Sequence, residues 1–547
     1  MPCHKSFLSR ILAVFVAIAW VAVVSIPGAS AAGPAVSGAA SPVVHTDKGA
    51  VQGATTAGVD RYLGIRYAKP PVGALRWQPP QPAAVWPGVQ QTAAFGSSCP
   101  QNPNSSGLVS VNEDCLFVNV WRPAGTSSAA GLPVYVFVHG GGLTIDGSSH
   151  YDGTNIVQQT GVIVVDFNYR LGVFGFLGLP ALTAQQRESG NYGLQDQIAA
   201  LAWVHRNIAA FGGNPGRVTI GGESSGAISV CALLTAPGAA GLFSAAMMES
   251  GFCGNSGPYD SSTQNQFGAE TIGQFLAGQL GCPVAPATSV LACMRAMDVQ
   301  TLLNGWDNVS NIFGDPSLMV VGTKTLPLDP HLAVLQGKFR HVPILIGANR
   351  DEGRGISAVF VGTMDKAGYE TWLQNVPFAP GQGAAIEARY PWPAASNQFT
   401  GAYLGGAVLT DGWWGIGGCP TRDLANSLAK NTTTYVYEFD NRTGPGPSSQ
   451  PVGYMWGASH FAEMAYLWPL ASPWETSQFT AVDRQLSKQM LAYWGAFIKN
   501  GNPAATGQPS WPSLNSTPQF MSLRAGNTST MITTAAFYKE HQCNFWG

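Results

Sequence analysis

The segment RVTIGGESSGAISV, residues 217–230, limits the fold more than any other part of the chain. Arg217–Ile220 carries a stiff β-branched run that favours a short buried strand. Ala227–Ala236 is rich in small and aliphatic residues and favours a helix. Between them, Gly222 and Gly226 flank Ser224 in the order G-x-S-x-G. A strand that turns this tightly into a helix brings backbone against backbone, and residues without a Cβ fit there. The serine is then held at the top of the sheet, at a helix N-terminus, as in a nucleophile elbow. An ordinary glycine turn would satisfy the same short pattern. The rest of the chain must therefore supply a sheet, a base, an acid and an oxyanion site.

Apolar runs at Leu132–Val138, Val162–Phe167, Phe243–Met248, Pro343–Ile346 and Thr434–Phe439 read as further strands. Ile198–Phe211 has helical spacing and stops at Gly212-Gly213-Asn214-Pro215. Strands alternating with helices predict an α/β fold with a central, mostly parallel twisted sheet flanked by helices. Residues 355–430 are rich in Gly, Pro and Trp and weakly periodic, and read as helical and loop insertions over the sheet. No internal repeat and no long linker divides the chain, so one domain is expected over residues 32–547.

A serine hydroxyl needs a base, an acid that orients the base, and donors for the oxyanion. His139-Gly140-Gly141-Gly142 directly follows the strand ending at Val138, so its N–H groups can converge on one cavity. Gly141 and Gly142, with the N–H of Ser225, are the candidate oxyanion donors; His139 reads as structural. In hydrolases with such an elbow the chain order is serine, acid, histidine. Glu352 lies just beyond the Pro343–Ile346 strand, and the adjacent Asp351 is its rival as the acid. With Glu352 as acid, His460 and His541 remain as bases. His460 sits in a small-residue loop and is favoured, while His541 lies close to the C-terminus. Glu223 either adds negative potential near the base or is a structural acid. Trp413, Trp414, Tyr454, Trp456 and Trp468 cluster in sequence around these late segments. Trp413, Trp414 and Trp456 are candidate walls of an apolar pocket, and Trp468 reads as core.

Lys5 and Arg10 precede an apolar run at Ile11–Val24, followed by Ala29-Ser30-Ala31. This predicts a cleaved secretory leader over residues 1–31 and a secreted protein without a stable membrane anchor. The net charge of −2 and the absence of a basic run argue against nucleic acid as a partner. In an oxidising compartment the cysteines become candidate disulfides. Cys99 and Cys115 bracket one loop, Cys282 and Cys293 another, and Cys419 and Cys543 are a possible long-range pair. Spacing alone does not fix the pairing. Cys231 reads as a buried thiol, and Cys253 has no evident partner. There is no H-E-x-x-H and no paired C-x-x-C, so neither a metal nor an organic cofactor is expected.

Several windows together resemble the type-B carboxylesterases, of the cholinesterase and lipase group of α/β-hydrolases. These are Asn112-Glu113-Asp114-Cys115-Leu116, Asn168-Tyr169-Arg170, Asn191-Tyr192-Gly193-Leu194-Gln195-Asp196-Gln197, Phe211-Gly212-Gly213-Asn214-Pro215 and the elbow itself. The resemblance spans most of residues 42–547, densely over 60–255 and sparsely over 355–450. It implies the α/β-hydrolase fold, Ser224, Glu352 and His460 as triad, and Gly141, Gly142 and Ser225 as oxyanion donors. It also implies disulfides 99–115, 282–293 and 419–543. The short Cys99–Cys115 loop contains no Trp, unlike that of cholinesterases, which counts against a choline ester as substrate. The expected activity is hydrolysis of uncharged, apolar or aryl carboxylic esters, with water as second substrate. An interfacial lipase or polyester hydrolase is the rival enzyme, and a catalytically silent binding protein the rival outside enzymes.

Overall fold

The computed structural model describes residues 38–546, apart from 105–106, 254–262, 284, 315, 377–378, 413–415, 448–450 and 469–477. Trp413, Trp414 and the leader segment lie outside the described residues. A 12-stranded sheet organises the chain. In chain order its strands are β1 (Ala39–Ala40), β2 (Ala54–Thr56), β3 (Val59–Arg66), β4 (Phe117–Pro123), β5 (Leu132–Val138) and β6 (Ile163–Phe167). They continue with β7 (Gly213–Glu223), β8 (Ala245–Glu249), β9 (Ile344–Asn349), β10 (Thr434–Phe439), β11 (Gln519–Leu523) and β12 (Thr530–Thr533). The spatial order is β1-β2-β3-β4-β6-β5-β7-β8-β9-β10-β11-β12. Every pairing from β6 through β11 is parallel, and the flanking pairings are antiparallel.

Both faces of the parallel region are covered, as parallel sheets require. Val134, Val136 and Val138 of β5 point into one core, with Ile163, Val218, Ile220, Met248 and Ile346. Tyr135 and Phe137 point into the other, with Val164, Met247, Leu345 and Tyr437. Helices α1 (Tyr192–Asn207) and α2 (Ser225–Thr235) cover the first face. The insertion contributes α3 (Gly353–Ser357), α4 (Thr400–Gly412) and α5 (Gly418–Ala429), and the long α6 (Ala481–Asn500) covers the second face. Residues 355–430 carry helices with an apolar cluster of their own, around Tyr369, Trp372, Ile386 and Val408.

The strands read from sequence appear with small shifts at their ends. The helix expected from Ile198 begins at Tyr192, because buried Asp196 in its first turns is held by Arg170, a partner invisible to local periodicity. Trp468 is core, packed against Tyr135, Phe137 and Tyr151. Cys99–Cys115, Cys282–Cys293 and Cys419–Cys543 are paired. Cys231 is not a free thiol: it is bonded to Cys253. The reason is spatial. β8 lies beside β7, so the turn after β8 returns over α2, and Gly251 there packs so closely that a Cβ would stand 2.4 Å from that of Ala227.

Candidate active site

The elbow follows from two close approaches. A Cβ on Gly226 would lie 2.1 Å from the Val138 carbonyl oxygen, and one on Gly222 would lie 2.5 Å from the Gly226 carbonyl carbon. Between them Ser224 adopts φ 55° and ψ −125°, a conformation that L-residues rarely take. Such strain costs about 1–3 kcal/mol and persists only where the surroundings over-determine it. Here the Ser224 N–H donates to the Glu249 carbonyl at 2.9 Å, and its own carbonyl accepts from Ile228 N–H at 3.0 Å. The hydroxyl therefore stands clear of the sheet, at the start of α2.

Ser224, Glu352 and His460, distant in sequence, meet at this point. His460 Nε2 lies 2.9 Å from Ser224 Oγ, and Nδ1 lies 2.7 Å from Glu352 Oε2. A carboxylate only accepts, so Nδ1 carries a proton, and in the neutral imidazole Nε2 faces the hydroxyl as a lone pair. Glu352 is fully buried, and its Oε1 accepts from the Asn349 N–H at 2.7 Å. The backbone also ties the pair, His460 N–H donating to the Glu352 carbonyl at 3.2 Å.

Asp351, the rival acid, faces elsewhere. Arg442 grips both its oxygens at 2.8 Å, and the Ala458 N–H donates to it at 3.1 Å. It fastens the loop that carries His460. His541, the rival base, is buried between Asp411 and Glu438 and reaches neither Ser224 nor Glu352.

The glycine loop lies against the elbow. A Cβ on Gly140 would stand 3.2 Å from that of Ser224. The Leu143 N–H donates to Ser225 Oγ at 3.1 Å, tying the two segments together. Among the described residues no protein acceptor is found for the Gly141 or Gly142 N–H. Ser225 opens α2, where helix geometry leaves the N–H without an intrahelical partner. His139 is buried and stacked on Tyr169 at 4.4 Å, which is a structural role.

Glu223 is buried, with Oε1 3.3 Å from His460 Nε2. Burial pushes its carboxyl well above the usual range, tempered by His460. Burial acts to lower the His460 pKa, but the carboxylates of Glu223 and Glu352 outweigh it and raise the pKa to about 9. Two further acids escape sequence reasoning. Glu463 accepts from Ser250 Oγ at 3.0 Å and from the Asn349 side chain, whose Nδ2 also donates to the Ser459 carbonyl at 2.8 Å. It thus links the base loop to the strands beneath, and burial first, then the Glu352 charge, raises its pKa to about 7. Glu249 accepts from Trp494 Nε1 at 3.1 Å, and burial raises it to about 8. The only signal for these two was position: Glu249-Ser250-Gly251 ends a strand, and Glu463 follows His460 closely. Trp456 packs edge-on against Tyr454 at 5.2 Å, and its ring covers Gly446. Among the described residues no group of three or more His, Cys, Asp or Glu could hold a metal ion.

A partly buried imidazole between a carboxylate and a hydroxyl, beside free backbone N–H groups, is suited to acyl transfer. Comparison with known proteins agrees. A sequence profile described as the carboxylesterase family matches residues 40–546. The chain is 34% identical over 487 residues to the para-nitrobenzyl esterase of Bacillus subtilis (strain 168), covering 86% of this chain and 92% of that one. It is 33% identical over 516 residues to the pyrethroid hydrolase Ces2e of Rattus norvegicus, covering 88% and 86%. The solved structure of a thermophilic PNB esterase superposes with a TM-score of 0.74 at 30% identity, covering 91% of this chain and 99% of that one. On fold, site and sequence alike, this chain belongs to the carboxylesterase family and is an α/β-hydrolase acting on carboxylic esters.

Proposed function

We propose that Ser224, His460 and Glu352 carry out two-step ester hydrolysis. His460 Nε2 takes the Ser224 proton as the oxygen attacks the ester carbonyl. The oxyanion is held by the N–H groups of Gly141, Gly142 and Ser225. His460 then protonates the leaving alcohol, and later takes a proton from the water that releases the acid. Glu352 fixes the tautomer and stabilises the imidazolium. The observation that carries this reading is His460 lying 2.7 Å from Glu352 and 2.9 Å from Ser224 at once.

The substrates are uncharged esters with apolar or aryl groups. Relatives named as a pyrethroid hydrolase and a para-nitrobenzyl esterase accord with this class. Trp413, Trp414 and Trp456 are the residues to test as pocket walls. Residues 1–31 act as a secretory leader for one catalytic domain over 32–547, a reading supported by four disulfides. Among the described residues no helix is long and apolar enough to cross a membrane.

The deciding experiment is labelling of the secreted protein with a fluorophosphonate, with turnover of esters graded in acyl length. One label per chain, lost in Ser224→Ala, is expected. Stoichiometric labelling of Ser224→Ala would end the assignment. A rate jump above the substrate's solubility limit would instead mark an interfacial lipase.

A further inference from the structure

The loop that presents the oxyanion donors is strained along its length. Gly141, Gly142, Leu143 and Asp146 have φ of 90°, 64°, 63° and 85°. Leu143 and Asp146 are not glycines, and each left-handed L-residue costs roughly 1–2 kcal/mol. Such a loop keeps its shape only if its ends are held. β5 holds the near end, and Ser225 Oγ holds the middle through the Leu143 N–H. At the far end, the backbone N–H and carbonyl of Asp146 are both held by one side chain, from another part of the chain.

That side chain is Gln101, which is 1% exposed. Its Oε1 accepts from the Asp146 N–H at 2.8 Å, and its Nε2 donates to the Asp146 carbonyl at 2.8 Å. A primary amide here pairs with a peptide on both sides, as a neighbouring strand would. Gln101 is fixed in turn. Its N–H and C=O exchange bonds with Ser110 at 2.9 and 3.1 Å, and Nε2 also donates to the Cys99 carbonyl at 3.1 Å. The Cys99–Cys115 disulfide closes that segment. The Asp146 side chain is separately occupied, by His150 Nδ1 and the Tyr151 hydroxyl, both at 2.7 Å. The backbone of Asp146 thus has a dedicated holder.

We infer that Gln101 is a positioning residue for the hydrolysis: it templates the strained 141–146 loop and so sets where the oxyanion donors point. The disulfide loop acts as the rigid mount for this amide. The inference rests on the proposed oxyanion site. Donors act on the charge that develops in the transition state, so displacing them lowers kcat and leaves ground-state binding almost untouched.

The test uses Gln101→Met, which keeps the shape and removes both bonds, and Gln101→Glu, which keeps the acceptor and removes the donor. Rates on p-nitrophenyl butyrate are expressed per site titrated with a fluorophosphonate. Affinity is measured for a trifluoromethyl ketone, which forms a tetrahedral oxyanion on the serine, and for butan-1-ol as a ground-state ligand. For Gln101→Met we expect kcat to fall about 10- to 100-fold, below the roughly 10²–10³ of a lost donor. KM should stay within about threefold, and ketone affinity should weaken in proportion to kcat while butanol affinity holds. Gln101→Glu should fall between Gln101→Met and wild type, and it decides the matter if Gln101→Met does not fold. Unchanged kcat and ketone affinity per site, whatever happens to melting, would make Gln101 merely structural and overturn the inference, as would a rise in KM alone. The Ser224→Ala control separates the two levels: if it still turns over ester, the triad reading fails first.

Discussion

Among the described residues two histidines, His460 and His541, each lie between two carboxylates, and only one has the geometry that a base needs. His460 has Glu352 at 2.7 Å on Nδ1, but on Nε2 it has the Ser224 hydroxyl at 2.9 Å and Glu223 farther off at 3.3 Å. His541 has Asp411 at 2.7 Å and Glu438 at 2.6 Å, one on each nitrogen. The side chain of His460 is 21% exposed and that of His541 only 3%. Burial acts to lower the pKa of His541, but its two hydrogen-bonded carboxylates outweigh it and raise the pKa to about 10. A base needs one nitrogen facing a neutral partner that can give up a proton. An imidazole saturated by acids on both sides holds its proton as a structural cation.

What each histidine ties together sharpens the contrast. His460 sits in a loop with positive φ on either side, at Gly457 (62°) and Phe461 (74°), fastened through Asp351 and Glu463. His541 joins the C-terminal segment to α4 through Asp411 and to β10 through Glu438. The Cys419–Cys543 disulfide lies beside it, and its ring packs against Gly418 so closely that a Cβ there would be 2.8 Å away. The neighbour of Asp411 in α4, Thr410, accepts from the Gly353 N–H at 2.9 Å, next to Glu352. The second histidine therefore braces, at a distance, the strand end that carries Glu352.

The largest expected effect is on activity at the first histidine. Ser224→Ala and His460→Ala should each lower kcat by about 10⁴-fold or more in steady-state hydrolysis, and calorimetry should show wild-type melting for Ser224→Ala, which leaves no buried charge unpaired. If His460→Ala kept a tenth of wild-type kcat, its role as base would be lost. The next effect is on stability, at the second histidine. His541→Ala leaves two buried carboxylates without their cation, which costs about 3–5 kcal/mol. Urea unfolding should show that loss, while kcat per titrated site stays within a few-fold of wild type. The sequence offers His541 only as the less favoured base; the two carboxylates around it make it an element of stability. Because the folded pKa lies above the unfolded value of 6.5, this stabilisation is complete below pH 6.5 and is lost as pH rises through about 10. Unfolding midpoints across that range should decline in wild type and stay flatter in His541→Ala.

The difference between the two histidines was only half legible in the sequence. The elbow, the glycine triplet and the apolar strands are local patterns, because each is set by what one short segment must do to its own backbone. The choice between Asp351 and Glu352 was not local. Both follow β9, and which one faces the histidine depends on Arg442 and Ala458, many residues away. The same holds for the Cys231–Cys253 bond, which depends on β8 lying beside β7. Glu463 and Ser250 belong to no motif, and only the tight turn after His460 brings the first beneath the base. Resemblance to a family could name the triad, but it could not say that His541 would be pinned by acids on both nitrogens.

The smallest expected effect lies in the pH profile, and it tests what Glu223 contributes. The base works only when neutral, so kcat/KM should fall as pH drops through the pKa of His460. Glu223→Gln keeps the size of the side chain and removes its charge, and with it one of the three acids that raise this pKa. The acid limb of kcat/KM should therefore move to lower pH, by up to about one unit. His541→Ala should leave that limb in place, since His541 is bonded to Asp411 and Glu438 and touches neither His460 nor the acids beside it. Glu223 is itself pushed up by burial and drawn down by His460, and the sign of the shift shows which of the two holds the proton. A limb that moves down means a charged Glu223 was holding the proton on His460. A limb that stays in place means the proton sits on Glu223 throughout, and this acid then acts on His460 through contact alone.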